Sequence, residues 1–156
     1  MLVYVLAVVV FGLDQLVKYI VRTTMAVNQM IPIWPHVLVL DYIQNPGAAW
    51  GMLGHARYFL ILVALIVIGA VVYVQSKYRP KIGYQIGLGL VLGGALGNLM
   101  DRIVYGKVTD FIYFQIINFP VFNLADSAIT IGVILILLLS LRSGQNRPNG
   151  PSQDTQ

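Results

Sequence analysis

Apolar positions run in long blocks along this chain, broken by short polar stretches. Four blocks, 2–21, 58–74, 82–100 and 124–141, are near the about 20 apolar residues a helix needs to cross the hydrocarbon core. The pattern predicts a membrane α-helical fold with four transmembrane helices. The turn 75–81 carries Lys77, Arg79 and Lys81, and short basic turns stay in the cytoplasm. Arg142 and Arg147 fall on the same side. Both termini are then cytoplasmic, and the loops 22–57 and 101–123 face outward. Lys18, Arg22, Arg57, Arg102 and Lys107 oppose this on a raw count, but the short turn reports orientation best. The expected organisation is a four-span domain over 1–142 and a disordered cytoplasmic tail over 143–156.

The first block lacks a basic leader and a small-x-small cleavage site, so it reads as a retained span rather than a signal peptide. In the first outward loop, 31–33 and 37–43 are β-branched and aromatic, and Pro32 and Pro35 limit any helix. A small β-structure on the outer membrane surface is expected there. Residues 111–122 are amphipathic and rich in aromatics, which suits the interfacial belt. The third block carries glycine at 83 and 87 and again at 89, 93 and 97, two ridges that let neighbouring helices approach closely.

Composition sharpens this picture. Hydrophobic residues make up 58% of the chain and charged residues 10%. So few polar groups cannot cover a water-soluble globule, and so apolar a chain is not intrinsically disordered. There is no cysteine, which removes disulfides and thiolate chemistry. The two histidines, His36 and His55, argue against a metal site, and no cofactor is expected. The net charge of +4 fits topology-setting loops better than nucleic-acid binding.

Chemistry is sought among the intramembrane ionisable residues, which are costly to keep. Asp14 lies roughly 18 Å up the first span, at 1.5 Å per residue. The third span runs outward to Asp101, and the fourth runs inward from near Asp126. Two acids distant in sequence thus share one depth near the outer leaflet boundary. Each has an asparagine three residues before it, Asn98 and Asn123, on the same helical face. Neighbouring carboxylates share a proton, as in an aspartic protease. Blander readings stand beside this one. Asn123 is a natural N-cap and Asp126 a favourable first-turn acid. Lys18 is placed to form an i, i+4 ion pair with Asp14. Asp41 and Asp110 lie in outward loops, where a solvated charge is the default. Ser127 has no obvious base partner.

Five blocks in order carry a resemblance. They are Asp14-Gln15-x-x-Lys18, Asn45-Pro-Gly47-Ala48-Ala49-Trp50-Gly51 and Gly93-Gly94-Ala95-x-Gly97-Asn98-x-x-Asp101-Arg102. Gly106-x-Val108-x-Asp110-Phe111 and Phe122-Asn123-x-Ala125-Asp126-Ser127 complete the set. From about residue 10 to 132 the chain resembles the bacterial lipoprotein signal peptidase family (signal peptidase II). The resemblance implies a multi-pass aspartic endopeptidase of the bacterial inner (plasma) membrane. It maps the catalytic pair onto Asp101 and Asp126. Asp14, Asn98, Asn123 and Ala125 map onto positions needed for activity or stability, and Asn45 and Arg102 onto polar positions lining the substrate site. Lys18 and Gly47 belong to the same blocks as supporting residues. The implied substrate is a diacylglyceryl prolipoprotein, cut on the N-terminal side of its lipidated cysteine. It would arrive laterally through membrane lipid, and no obligate protein partner is implied. The dipole fields at the two helix ends suggest that Asp101 carries the shared proton and Asp126 is ionised. Two other readings compete. In a small proton-coupled transporter, titratable groups would spread across the bilayer, whereas here they cluster. A non-enzymatic scaffold would leave the paired N-x-x-D blocks unexplained.

Overall fold

The computed structural model of the chain describes residues 1–47 and 56–145. Residues 48–51 of the second motif, Arg147 and most of the expected tail lie outside the described residues. In chain order the elements are α1 (Leu2–Thr24), β1 (Met30–Trp34), β2 (Leu38–Asn45), α2 (Arg57–Tyr78), α3 (Ile82–Val104), β3 (Val108–Phe114) and α4 (Leu124–Gln145). All four helices are long and apolar enough to cross a membrane. The helices α1 and α3 outrun their apolar blocks, because Lys18, Arg22, Asp101 and Arg102 find partners inside the bundle. At the other end, α4 continues through residues 143–145, past the boundary at which the tail is expected to begin.

The bundle is organised around α3, whose span is 56% buried against 22%, 11% and 17% for α1, α2 and α4. The two glycine ridges account for this. Methyl groups at Gly89 and Gly93 would strike Leu6 and Val10 of α1, whereas one at Gly87 would strike Ile136 and the Gly132 carbonyl of α4. Backbones can meet that closely only where no Cβ intervenes. The peripheral α2 buries only Val71 and Gln75.

Beyond the helix ends lies one antiparallel sheet in the order β1-β2-β3. The hairpin β1–β2 is the β-structure expected in the first loop. The third strand comes from the second loop, so 111–114 is sheet rather than a purely interfacial segment. Val108, Thr109, Asp110 and Phe111 are all buried. In β2, Asp41 is buried too. Neither loop aspartate is therefore a solvated charge.

Candidate active site

The polar residues gather at one end of the bundle, where α3 ends, α4 begins and the sheet covers both. They divide into two groups. The first is closed. Lys18 is fully buried, and its ammonium group reaches Asp14 Oδ2 at 2.9 Å, Asp101 Oδ2 at 3.1 Å and Asn98 Oδ1 at 3.0 Å. An ammonium has three protons, and each finds an acceptor. Asp101, also fully buried, further accepts from Gln15 Nε2 at 3.3 Å, Arg22 Nη1 at 3.4 Å and the Thr109 N–H at 3.0 Å. Asp14 accepts the Ala125 N–H at 3.0 Å and so fixes the start of α4. Ala125 must stay small, because its carbonyl lies against Gly94 and its methyl near Gly97.

The second group is open. A cavity of about 490 Å³ is lined by Asn45, Gly47, Asn98, Arg102, Asp110 and Asp126 on its polar side. Its apolar wall includes Phe119, Val121, Phe122 and Ile131. Asp126 Oδ1 accepts from Asn98 Nδ2 at 2.8 Å. Asn123 Oδ1 accepts the Asp126 N–H at 2.9 Å, and Asp126 Oδ2 accepts the Asn123 N–H at 3.2 Å. This is a reciprocal cap, so the bland reading of Asn123 holds. Its amide nitrogen does more, donating to Asp110 Oδ1 at 2.7 Å and to Asn98 Oδ1 at 3.1 Å. Asn45 Nδ2 holds the other oxygen of Asp110 at 2.9 Å.

The carboxylates facing one cavity are therefore Asp110 and Asp126. The expected pairing of Asp101 with Asp126 is not what the geometry offers. On α3, Asp101 and Arg102 are about 100° apart, at 3.6 residues per turn. Arg102 turns to the cavity, giving Nη2 to the Gly47 carbonyl at 3.0 Å, while Asp101 turns to α1. The cation on Asp101 is thus Arg22 with Lys18, not Arg102. Burial, and after it the charge of Asp126, push the Asp110 carboxyl up to about 7, against the Asn45 and Asn123 donors. Burial also raises the Asp41 carboxyl above its ordinary value. Ser127 gives its hydroxyl proton to the Asn123 carbonyl at 3.0 Å and is no nucleophile in this arrangement. The sequence reading missed Asp110, Gln15, Arg22 and Thr109 as contributors. For Asp110 a signal existed: Val108 and Asp110 alternate on one strand face, and both line the cavity.

A family model described as signal peptidase (SPase) II matches residues 6–142. The chain belongs to the signal peptidase II family. Lipoprotein signal peptidases of Shouchella clausii and Halothermothrix orenii are each 44% identical to it. The alignments cover 92% and 88% of this chain and 95% and 93% of those relatives. A bacterial membrane enzyme solved by the in meso method at 2.3 Å superposes with a TM-score of 0.87 at 37% identity, covering 96% of this chain and 93% of that one. A second such enzyme, solved at 1.9 Å, gives 0.82 at 40% identity over 90% and 92%. As a signal peptidase II the chain is a membrane peptidase, which removes the transporter and scaffold readings.

Proposed function

We propose that this signal peptidase II removes the signal peptide from diacylglyceryl prolipoproteins, hydrolysing the bond on the N-terminal side of the lipidated cysteine. The observation that carries the mechanism is the sharing of one cavity by Asp110 and Asp126, while Asp101 is shut away among cations. Two carboxylates in one site do not both ionise easily. Asp110, with its raised pKa, is the proton holder, and Asp126 is the base. Asp126 takes a proton from the attacking water as Asp110 gives its own to the scissile carbonyl oxygen. When the tetrahedral diol collapses, Asp126 passes its proton to the leaving amine, and Asp110 recovers one from a diol hydroxyl. The Arg102 guanidinium, tied to the Gly47 carbonyl, orients the substrate backbone beside them.

The protein sits in the bacterial plasma membrane with both termini in the cytoplasm. Its cavity is then at the outer leaflet, where a lipidated precursor enters sideways. The apolar wall of the cavity suits acyl chains, at roughly 0.8 kcal/mol for each buried CH₂. Purified protein incubated with a diacylglyceryl prolipoprotein tests the reading by mass spectrometry. A single cut before the modified cysteine, with the bare precursor turned over very poorly, is expected. Equal turnover of both forms, or cuts elsewhere, would refute it.

A further inference from the structure

A second cavity, of about 480 Å³, opens at the opposite end of the bundle, among the start of α1, the end of α2 and the start of α3. Gln75 and Arg79 of the α2 end line it, together with Tyr4, Ser76 and Gln85. Gln75 is only 7% exposed, and among the described residues its Oε1 finds no donor. Two of its neighbours donate elsewhere. Ser76 gives its proton to the Tyr73 carbonyl at 3.0 Å, and Gln85 Nε2 goes to the Pro80 carbonyl at 2.9 Å. A buried acceptor left empty is costly, so the site calls for a donor from outside the described residues. Beside it Arg79 is a cation that forms no ion pair among the described residues. The nearest acids in sequence are Asp41 and Asp101, and Lys77 and Lys81 flank it with the same sign.

We propose that this cavity binds a phospholipid headgroup that joins an anionic phosphate to a hydrogen-bond donor. Arg79 takes the phosphate, and Gln75 Oε1 accepts from the headgroup hydroxyl or ammonium. Phosphatidylglycerol and phosphatidylethanolamine carry both features. Phosphatidylcholine has the phosphate but no N–H or O–H, so it leaves Gln75 empty. The site lies at the end of the spans, where headgroups are, and away from the active cavity.

Native mass spectrometry of the full chain tests this, with phosphatidylglycerol, phosphatidylethanolamine or phosphatidylcholine added to detergent at equal concentration. The wild type should retain one phosphatidylglycerol or phosphatidylethanolamine about fivefold better than phosphatidylcholine, the factor a single hydrogen bond supplies. Gln75→Leu should abolish that preference while leaving prolipoprotein turnover unchanged. Arg79→Asn, chosen because Arg79 has φ 41° and Asn tolerates the left-handed region, should weaken retention of all three lipids. Glycerol phosphate, added as competitor, distinguishes a free phosphate ligand from a lipid. If it displaces the lipid at matched concentration, a soluble anion rather than a lipid is the ligand, and the proposal falls. Equal retention of the three lipids by the wild type, or an unchanged preference in a folded Gln75→Leu, would overturn it as well.

Discussion

Asp101 and Asp110 end in the same polar network, yet their surroundings differ in kind. Asp101 is ringed by Lys18, Arg22 and a backbone N–H, and no face of it reaches the cavity. Among the described residues Asp110 is held by amide donors, from Asn45 and Asn123, and it opens on the cavity that Asp126 also lines. A carboxylate neutralised by two cations is a structural charge that ties α1 to α3. A carboxyl held by neutral donors beside a second acid is one that can exchange a proton. Asn98 and Asn123 separate the two regions while joining them: Asn98 accepts from Lys18 on the closed side and donates to Asp126 on the open side.

The comparison can be broken most severely at Asp126. Asp126→Asn removes the proposed base, and turnover should fall by about 10² to 10⁴-fold, with the melting temperature near that of the wild type. A folded variant with more than a tenth of the normal rate would show that the open side is not the reacting side.

Lys18→Met attacks the closed region instead. It strips Asp14 and Asp101 of their shared cation, and breaking a buried pair costs about 3–5 kcal/mol. Detergent-solubilised protein should melt well below the wild type, and loss of activity should track loss of folded protein.

The packing that holds the two regions together is tested at Gly94. A methyl there would be driven into the Ala125 carbonyl and within 2.8 Å of Ile129. Gly94→Ala should destabilise by about 1–3 kcal/mol and slow turnover as α3 and α4 part. Thermal melts and rates on the same sample check both effects.

The smallest effect sharpens the comparison through pH. The Asp110 carboxyl is raised from 3.8 to about 7 in the folded protein. Between those values the folded state binds the extra proton, so this group's stabilisation is lost as pH rises and is gone above about 7. Asp110→Asn should therefore gain melting temperature relative to the wild type at pH 8 compared with pH 5. Turnover of the wild type should fall as pH rises through about 7, because Asp110, the proposed acid, loses its proton there.

Much of the fold could be read from the chain because its signals are one-dimensional. Apolar blocks placed the four helices, and the glycine ridges marked α3 as closely packed, though only the structure assigns α1 to 89 and 93 and α4 to 87. Depth was legible too, since α3 and α4 run antiparallel and do bring Asn98 to Asp126. What depth cannot give is azimuth. Asp101 stands at the right height but on the side of α3 that faces α1. The partner of Asp126 comes instead from a strand whose pairing with β2 depends on contacts between residues about 65 positions apart, such as Asn45 and Asp110. The resemblance mapped the pair onto Asp101 and Asp126 and left Asp110 inside a motif block with no role.

The most direct test sets Asp101→Asn against Asp110→Asn in cleavage of a diacylglyceryl prolipoprotein, each rate divided by the amount of folded enzyme. The account predicts that folded Asp101→Asn retains readily measurable cleavage, while folded Asp110→Asn retains none above background. Cleavage surviving in Asp110→Asn and absent from well-folded Asp101→Asn would contradict it, and would return the catalytic pair to Asp101 and Asp126.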